Sequence, residues 1–299
     1  MQEKMVDIMN ATDIAFPNLG IYLENIPRGF KIGGLDIYWY GVFIVLGIIS
    51  GVSIADRAAK VCGMDPDEIW DFFIYALIFS VIGARSYYVV FEWDSYKDDW
   101  MSIFNIRQGG LAIYGAVIAA FITLFVFCKV KKRNPFQLGD CGVQGLVLGQ
   151  AIGRWGNFFN REVFGEYTNN LFAMRIPLEA VYDETDITMN IKNHMTSGVN
   201  YIQVHPTFLY ECMLNLVLFA FMVWWHKRKK FNGEICLIYL GGYGIIRFFV
   251  EGIRTDQLKI PGTNMAVSQI LGISLFVLSV VIEMVVRVGI YKKEKQNKR

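Results

Sequence analysis

Seven long apolar stretches constrain the fold of this chain more than any other feature of its sequence. Each runs for roughly 18 to 23 residues, the length that an α-helix needs to cross a hydrocarbon layer about 30 Å thick. They cover residues 38–55, 69–91, 109–128, 141–160, 207–225, 235–252 and 265–286. Hydrophobic residues occupy 54% of the 299 positions, far more than one soluble core of that length requires. We therefore predict an all-α integral membrane protein with about seven transmembrane helices.

The distribution of basic residues predicts the orientation of these helices. Lys and Arg in short loops are retained on the cytoplasmic side. Of the 29 Lys and Arg residues, sixteen lie in one set of alternate segments, namely 56–68, 129–138, 226–233 and the tail from 287. Only ten lie in the longer segments of the other set. We expect the N-terminus to be outside and the C-terminus to be cytoplasmic.

The parts of the chain outside the apolar stretches predict three smaller regions. Residues 1–37 are too interrupted by Pro and Gly to span, which favours an amphipathic arm on the outer membrane surface. Residues 161–206 form a small outer cap that is too short to bury a core of its own. The catalytic domain then covers 38–286 and includes this cap, and 287–299 are a basic cytoplasmic tail.

The cysteine pattern predicts no disulfide framework and no metal centre. By the predicted topology, none of the five cysteines falls in an outer loop, where disulfides persist. Neither a CxxC nor an HExxH spacing occurs. We expect no metal, no cofactor and no nucleic-acid partner.

The stretch 153–165, GRWGNFFNREVFG, carries the most unusual polar residues. Gln150, Arg154 and Asn157 follow one another at i, i+4 and i+7 on one helix face. A parallel stripe of small residues lets another helix pack closely: Gly142, Gly145, Gly149, Gly153 and Gly156. An arginine inside a membrane is costly, so it indicates a functional site with an anionic partner. The alternative is a polar seam between helices without chemistry.

Further polar groups lie where the other apolar stretches meet the outer side. Arg85 lies about two turns inside the outer end of the second stretch. Gly109 and Gly110 open the third with free backbone amides, and His205 precedes the fifth. Arg247, Glu251 and Arg254 share one face of the sixth at i, i+4 and i+7. Simpler interpretations are an interfacial anchor for Tyr40, snorkelling for Arg85, and an intrahelical ion pair for Arg247 and Glu251.

The predicted topology brings all these groups to one level, in the outer half of the membrane. Guanidinium groups bind phosphate oxygens in bidentate fashion, so arginines at this depth predict a pocket for an anionic phospholipid headgroup. A transporter or a binding protein for an anionic lipid or solute is the alternative. The inner halves of the helices contain almost no polar residue, which disfavours a transport path open to both sides.

The same residues resemble a known enzyme family. GRWGNFFNREVFG matches the pattern G-R-x-G-N-F-x-N-x-E-x-x-G of the prolipoprotein diacylglyceryl transferases at every fixed position. WYG at 39–41, GARSYY at 83–88, the stretch 109–114, HPTFLYE at 205–211 and YGIIRFFVEGIR at 243–254 are similar to that family's blocks in the same order.

The resemblance implies a multi-pass enzyme of the bacterial cytoplasmic membrane with its active site toward the outer leaflet. Its reaction would move the diacylglyceryl group of phosphatidylglycerol onto the lipobox cysteine of a preprolipoprotein and release glycerol phosphate. It implies that Arg154 is the essential arginine of the family pattern and Arg247 the second. We assign catalysis to Arg154, Arg247, Tyr114 and Glu251. We assign phosphatidylglycerol binding to Arg154, Tyr40, Arg85, Gly109, Gly110, Asn157, Asn160, Glu162, His205 and Arg254.

Tyr114 departs from the family pattern. Many members carry a histidine at this position after the Gly-Gly pair. A phenol with a pKa of about 10 is a poor general base near neutral pH. The sequence therefore leaves the group that accepts the thiol proton open.

Overall fold

The computed structural model describes residues 9–106, 109–263 and 265–297, and most of them are helical. The helices are α1 (Trp39–Val61), α2 (Asp67–Phe91), α3 (Ile113–Lys131), α4 (Pro135–Asn160), α5 (Met189–Asn193), α6 (Thr207–His226), α7 (Glu234–Ile253) and α8 (Val267–Asn297). The strands are β1 (Ile14–Phe16), β2 (Ile21–Leu23), β3 (Gly29–Ile32), β4 (Leu35–Tyr38), β5 (Met174–Pro177) and β6 (Tyr201–Val204).

Six helices within the described ranges are long and apolar enough to cross a membrane: α1, α2, α3, α6, α7 and α8. The prediction of a helical membrane protein is therefore confirmed. The predicted fourth span is a helix too, α4, with 26 residues. It is not among the six, because the polar residues that mark it lower its hydropathy. Six of the seven predicted spans are therefore found as helices able to cross a membrane, and a seventh span in α4 stays a prediction.

The chain forms two compact units. One comprises the chain up to Gly51 together with Leu146–Lys230 and Leu237–Arg299, and we call it the first unit. The second unit comprises Val52–Gly145 and Phe231–Cys236.

The first unit contains a four-stranded sheet in the order β2-β1-β5-β6. All its pairings are antiparallel; Ile14 lies opposite Leu23, Ala15 opposite Arg175, and Met174 opposite Val204. A separate hairpin joins β3 and β4. The prediction of an all-α fold is therefore wrong in this region. Strands of three or four residues are too short to show an alternating pattern in the sequence.

The sheet packs on an apolar cluster in the first unit. This cluster combines β1, β5 and β6 with three aromatic side chains: Phe158 at the end of α4, Phe164 just after α4, and Phe208 at the start of α6. Residues 161–206 therefore share their core with the N-terminal strands and with helix ends, as expected for a segment too short to bury a core alone.

Arg161 fastens the N-terminal segment to the end of α4. Its side chain is almost fully buried, and its Nη2 donates to the carbonyls of Thr12 and Ile26, both at 2.5 Å. Burial and the nearby charge of Arg28 lower the pKa of this guanidinium to about 10. Arg161 also has a positive φ of 57°, so the chain reverses direction here.

Glycines on α4 let α1 approach closely in the first unit. A Cβ built on Gly47 would lie 3.0 Å from the carbonyl oxygen of Gly149. One on Gly156 would lie 2.6 Å from the ring of Tyr40, and one on Gly153 would meet Ile44. The predicted small-residue stripe is confirmed for this part of α4. At Gly142, by contrast, an added Cβ would meet no described atom within 4 Å.

The second unit is built mainly on α2 and α3. Their backbones meet at Gly83 and Gly115, where a Cβ on Gly83 would lie 2.7 Å from the oxygen of Gly115. Arg133, just after α3, pairs with Glu68 near the start of α2 through Nε and Nη2 at 2.7 to 2.9 Å. The Arg133 side chain is 48% exposed, so solvent screens this pair and limits its contribution to stability.

Candidate active site

At the end of α4 the chain turns back beside the polar face that the sequence predicts on this helix. Arg161 and Val163 both have positive φ angles, 57° and 58°, which turn the chain sharply. Glu162 is thereby brought back beside the last turn of α4. Its Oε1 accepts hydrogen bonds from Asn157 Nδ2 at 2.9 Å and from Asn160 Nδ2 at 3.2 Å. Three polar positions of the 153–165 segment thus form one hydrogen-bonded group.

Arg154 lies beside this group and pairs with α6. Its Nη1 donates to Asn157 Oδ1 at 3.3 Å, and its Nη2 lies 2.6 Å from Glu211 Oε1. Glu211 is only 1% exposed. A carboxylate buried to this degree requires a cationic partner or a proton, and Arg154 supplies the cation.

Glu211 also reaches the arginine of α7. Its second oxygen, Oε2, lies 3.6 Å from Arg247 Nη1, and Tyr243 donates its hydroxyl to Oε1 at 3.2 Å. The two arginines that the family resemblance implies to be important therefore share one buried carboxylate.

The three charged residues of α7 follow one face, as their spacing predicts. Arg247 Nη2 lies 2.6 Å from Glu251 Oε2, an ion-pair contact whose angles fall short of a hydrogen bond. Arg254 Nη1 is 3.7 Å from the same oxygen. The predicted Arg247–Glu251 pair is confirmed, and it belongs to a larger network with Glu211 and Arg154.

The guanidinium of Arg254 pairs with Asp256, which is not among the predicted site residues. Its Nε and Nη2 donate to the two oxygens of Asp256 at 2.8 and 2.5 Å. Burial opposes the charge on both groups, yet this bidentate pair raises the pKa of Arg254 and lowers that of Asp256. An anionic ligand could bind Nε and Nη2 of Arg254 only by displacing Asp256.

Arg247 faces Glu211 at 3.6 Å, which is too far for a hydrogen bond. Its Nη1 is buried and makes no hydrogen bond to any described residue. A buried donor without an acceptor costs free energy, on the order of 1–3 kcal/mol. An anionic oxygen placed beside Arg247 and Arg154 would satisfy it.

Gly165 joins the 153–165 segment to α7 and to His205. Its N–H donates to the carbonyl of His205 at 3.0 Å, and it forms a β-bridge with Arg254. A Cβ at this position would lie 2.7 Å from the carbonyl oxygen of Ile253. Glycine is therefore required for the approach that places the end of α7 beside the end of α4.

His205 lies near this junction, but its ring has a different partner. Nδ1 is 3.1 Å from the hydroxyl of Tyr210, and burial lowers the pKa of the imidazole. The hydrogen bonds of its ring do not connect it to the arginine network.

Tyr40 contributes to a cavity of about 900 Å³ in the first unit. Its ring packs on Gly156, so it touches the polar end of α4. Asn160 and Glu162 line the same cavity.

In the second unit, Arg85 is only 8% exposed, and its guanidinium binds backbone oxygens in the loop before α3. All five N–H groups have carbonyl acceptors at 2.7 to 3.2 Å, on Ser102, Ile103, Asn105, Gly109 and Gly110. Snorkelling toward the headgroups is therefore the wrong interpretation of this residue. Arg85 shapes the loop that carries Gly109 and Gly110, whose φ angles are 88° and 76°.

Tyr114, in the first turn of α3, is 48% exposed, and its ring lies 6.5 Å from that of Tyr87. Its phenol is accessible to a ligand from outside the protein.

Three residues of the network in the first unit were not predicted as site residues: Glu211, Tyr243 and Asp256. Glu211 is the last residue of the family block at 205–211, and a carboxylate buried in such an apolar helix has to pair or to take up a proton. Tyr243 lies four residues before Arg247, so helical spacing alone could have placed it on the same face. Asp256 lies beyond the helix, where spacing carries no such signal.

The fold and the site together define a class of protein. It is a multi-span helical membrane protein in which arginines and carboxylates form a buried cluster suited to an anion. A family model described as prolipoprotein diacylglyceryl transferase matches residues 27–285.

Curated relatives agree with this match, and each is named phosphatidylglycerol–prolipoprotein diacylglyceryl transferase. The protein from Finegoldia magna is 41% identical over 268 residues, covering 89% of this chain and 98% of the relative. One from Clostridium botulinum strain Langeland is 37% identical over 270 residues, with coverages of 90% and 99%. One from Staphylococcus aureus strain Newman is 38% identical over 263 residues, with coverages of 88% and 90%. The chain belongs to the prolipoprotein diacylglyceryl transferase family.

Proposed function

We propose that this chain transfers the diacylglyceryl group of phosphatidylglycerol to the lipobox cysteine thiol of a preprolipoprotein. The observation that carries the proposal is the pair formed by Arg154 and Arg247 around the buried carboxylate of Glu211. It supports an anion site fixed in place before the substrate arrives. Family membership supplies the identity of both substrates.

The reaction breaks a carbon–oxygen bond of the lipid. The thiol sulfur attacks the glycerol carbon that carries the phosphodiester oxygen and forms a thioether. The electrons of the broken bond remain on that oxygen, which leaves as part of the glycerol phosphate. The thiol proton is transferred to an acceptor and finally to the phosphate or to water, so the charge balances without any protein nucleophile.

Arg154 and Arg247 lower the barrier by holding the phosphate as its charge grows. Groups that bind the transition state more tightly than the ground state accelerate the chemical step. Arginine suits this role because it keeps its charge in a dry site and presents two parallel donors. The open Nη1 of Arg247 is the donor that we assign to a phosphate oxygen.

The remaining residues have supporting roles in this proposal. Glu251 orients Arg247 and is a carboxylate acceptor for the thiol proton. Tyr114, accessible at the start of α3, binds the thiol or a phosphate oxygen through its hydroxyl. Asn157, Asn160 and Glu162 fix the end of α4, and Arg254 fixes Glu251. On the family pattern, we retain Arg85, Gly109, Gly110 and His205 as members of the lipid site, with Arg85 acting through the loop that it binds. We retain Tyr40 at the border of that site, where its ring packs on Gly156.

The proposal also places the protein in the bacterial cytoplasmic membrane. We infer seven spans, with α4 as the polar one, an outer N-terminus, a cytoplasmic C-terminal tail and an active site toward the outer leaflet. The excess of Lys and Arg in alternate loops supports this orientation. The outer arm 1–37, the catalytic domain 38–286 with its cap 161–206, and the tail 287–299 remain the domain organisation that we propose.

The direct test is transfer by the purified protein. It is mixed with phosphatidylglycerol vesicles and a peptide that contains a lipobox cysteine, and the products are analysed by mass spectrometry. We expect a thioether peptide carrying one diacylglyceryl group and an equal amount of glycerol phosphate. Arg247→Gln should abolish both products, whereas Arg287→Gln, on the pair with Glu283 in α8, should not. Binding of the lipid without either product by the parent protein would favour a non-catalytic lipid-binding protein.

A further inference from the structure

The cavity of about 900 Å³ in the first unit has more acidic than basic residues in its lining, unlike the arginine network. Its charged lining residues are Arg28, Asp36 and Glu162, and its neutral polar ones are Asn160 and the tyrosines Tyr38, Tyr40 and Tyr182. Arg154, Arg247 and Arg254 are not part of this lining. We propose that this cavity binds the second substrate, the extended peptide segment that carries the acceptor cysteine. This inference rests on the proposed function.

The charges of the lining disfavour an anionic lipid headgroup. Two carboxylates, Asp36 and Glu162, face one basic residue, Arg28, which donates to the carbonyl of Ala180 at 2.6 Å. Asp36 has a cationic neighbour in Lys31 at 3.4 Å, but that pair is exposed and therefore weak. Glu162 accepts only amide hydrogen bonds among its described partners. A phosphate would be repelled here, whereas a neutral peptide would not.

The shape and chemistry of the walls fit an extended peptide. Strand β4 contributes Asp36, Ile37 and Tyr38 to the lining, and within the described residues it pairs only with β3. Three of its four residues are exposed, and we infer that an extended peptide adds as a strand at its other edge, which is a common way of binding such peptides. The wall provided by α1 is apolar, with Val42, Val45 and Leu46. Secretory signal peptides present an apolar segment followed by small residues, which suits such a wall.

The cavity is linked to the anion site by a short chain of hydrogen bonds. Glu162, in the lining, accepts from Asn157 at 2.9 Å, and Asn157 accepts from Arg154 at 3.3 Å. A thiol bound near Glu162 would thus lie next to the residues that hold the phosphate. Group transfer between two substrates requires this kind of adjacency.

A cavity-filling substitution tests which substrate occupies the cavity. Val45, 54% exposed on α1, is replaced by Trp, and the matched control is Ile49→Trp, one turn further on the same face and 55% exposed. Loss of an apolar pocket contact commonly weakens binding by about tenfold or more. We expect Val45→Trp to raise the KM for the acceptor peptide by about that factor and to leave the KM for phosphatidylglycerol near the parental value. Ile49→Trp should change neither.

A rise in the KM for the lipid alone would overturn the inference and indicate a lipid site. Unchanged KM values for both substrates with Val45→Trp would overturn it as well. In either case transfer by the parent protein would still stand, so failure of this inference is distinguishable from failure of the proposed function.

Photocrosslinking provides a second measurement that does not depend on turnover. A photoreactive side chain replaces Tyr182, which lies at the cavity and is 88% exposed, and the control carries it at Tyr22 instead. The probes are a lipobox peptide with Ser in place of the cysteine and a tagged phosphatidylglycerol. We expect position 182 to crosslink the peptide and not the lipid, and position 22 to crosslink neither. Capture of the lipid at 182, or of neither probe, would contradict the assignment.

Discussion

Glu211 Oε1 lies 2.6 Å from Arg154 Nη2, in a side chain that is almost completely withdrawn from solvent. The other oxygen of the same carboxylate faces Arg247 at 3.6 Å. One buried carboxylate thus sets the separation of two guanidinium groups that come from different helices. This relationship leads to the first prediction.

Replacing Glu211 by Gln should disable the site, because Gln keeps the size of the side chain but removes its charge. The amide cannot neutralise two buried cations, and breaking a buried ion pair typically costs about 3–5 kcal/mol. We expect kcat for transfer to fall by about a hundredfold or more, because the arginines would no longer be preorganised. The control is Asp71→Asn, which removes the carboxylate of an exposed pair with Lys131. A kcat near the parental value for Glu211→Gln would show that the arginines are positioned by other contacts.

The variant Arg154→Lys tests whether Arg154 acts through two fixed hydrogen-bond donors or through its positive charge alone. Lysine keeps the charge but offers a point donor on a flexible stem. Removing a preorganised donor from developing charge typically costs about 2.7–4 kcal/mol. We expect the variant to fold, to retain some binding of phosphatidylglycerol, and to transfer at under about a tenth of the parental rate.

The control for this variant is Arg133→Lys, because Arg133 also pairs with a half-buried carboxylate, that of Glu68, but in the second unit and with its own side chain 48% exposed. It should transfer at the parental rate. If Arg154→Lys also transferred at the parental rate, Arg154 would contribute only a positive potential and would not bind two phosphate oxygens in a fixed geometry.

Tyr114 should act through its hydroxyl as a hydrogen-bond donor and not as a base. Tyr114→Phe removes only that hydroxyl and should lower the transfer rate, whereas Tyr114→His should be tolerated because many family members carry histidine there. The control is Tyr75→Phe, at a tyrosine of similar exposure on α2. The initial rates of transfer are compared at saturating lipid. Full activity of the Phe variant would make Tyr114 an interfacial aromatic residue.

The five cysteines of this chain should be dispensable for chemistry, because the nucleophile belongs to the substrate. Cys128, Cys141 and Cys212 are buried, and none of the five forms a disulfide in the described structure. A variant with all five replaced by Ala or Ser should keep substantial activity, measured as thioether formation per mole of folded protein. Complete loss traced to one cysteine in a folded variant would indicate a covalent enzyme intermediate.

The cysteine-free variant also allows the orientation to be measured. Single cysteines are introduced as Asn190→Cys, in the cap, and as Lys295→Cys, near the C-terminal end. Intact cells are then treated with a membrane-impermeant thiol reagent. We expect labelling at 190 and none at 295 until the membrane is permeabilised. The reverse pattern would place the cap, and with it the active site, on the cytoplasmic side.

The sequence alone determined the parts of this protein that depend on local pattern. Apolar stretches of sufficient length predicted the six apolar helices, because a helix in a membrane must satisfy its backbone within itself. Helical spacing predicted the Arg247–Glu251 pair and the glycine stripe that faces α1. The 13-residue segment at 153–165 identified the family before any contact was known.

Tertiary structure decided what depends on residues that are distant along the chain. Strand β1 is only three residues long and pairs with β5 about 160 residues later, so no local pattern marks it. The same holds for Arg85, whose five acceptors are backbone carbonyls that any sequence could supply. It also holds for Glu211, which the sequence shows as one acid in an apolar helix. Only the packing of α4, α6 and α7 makes it the shared partner of two arginines, because charges in a low-dielectric interior are stable only where the fold brings opposite charges into contact.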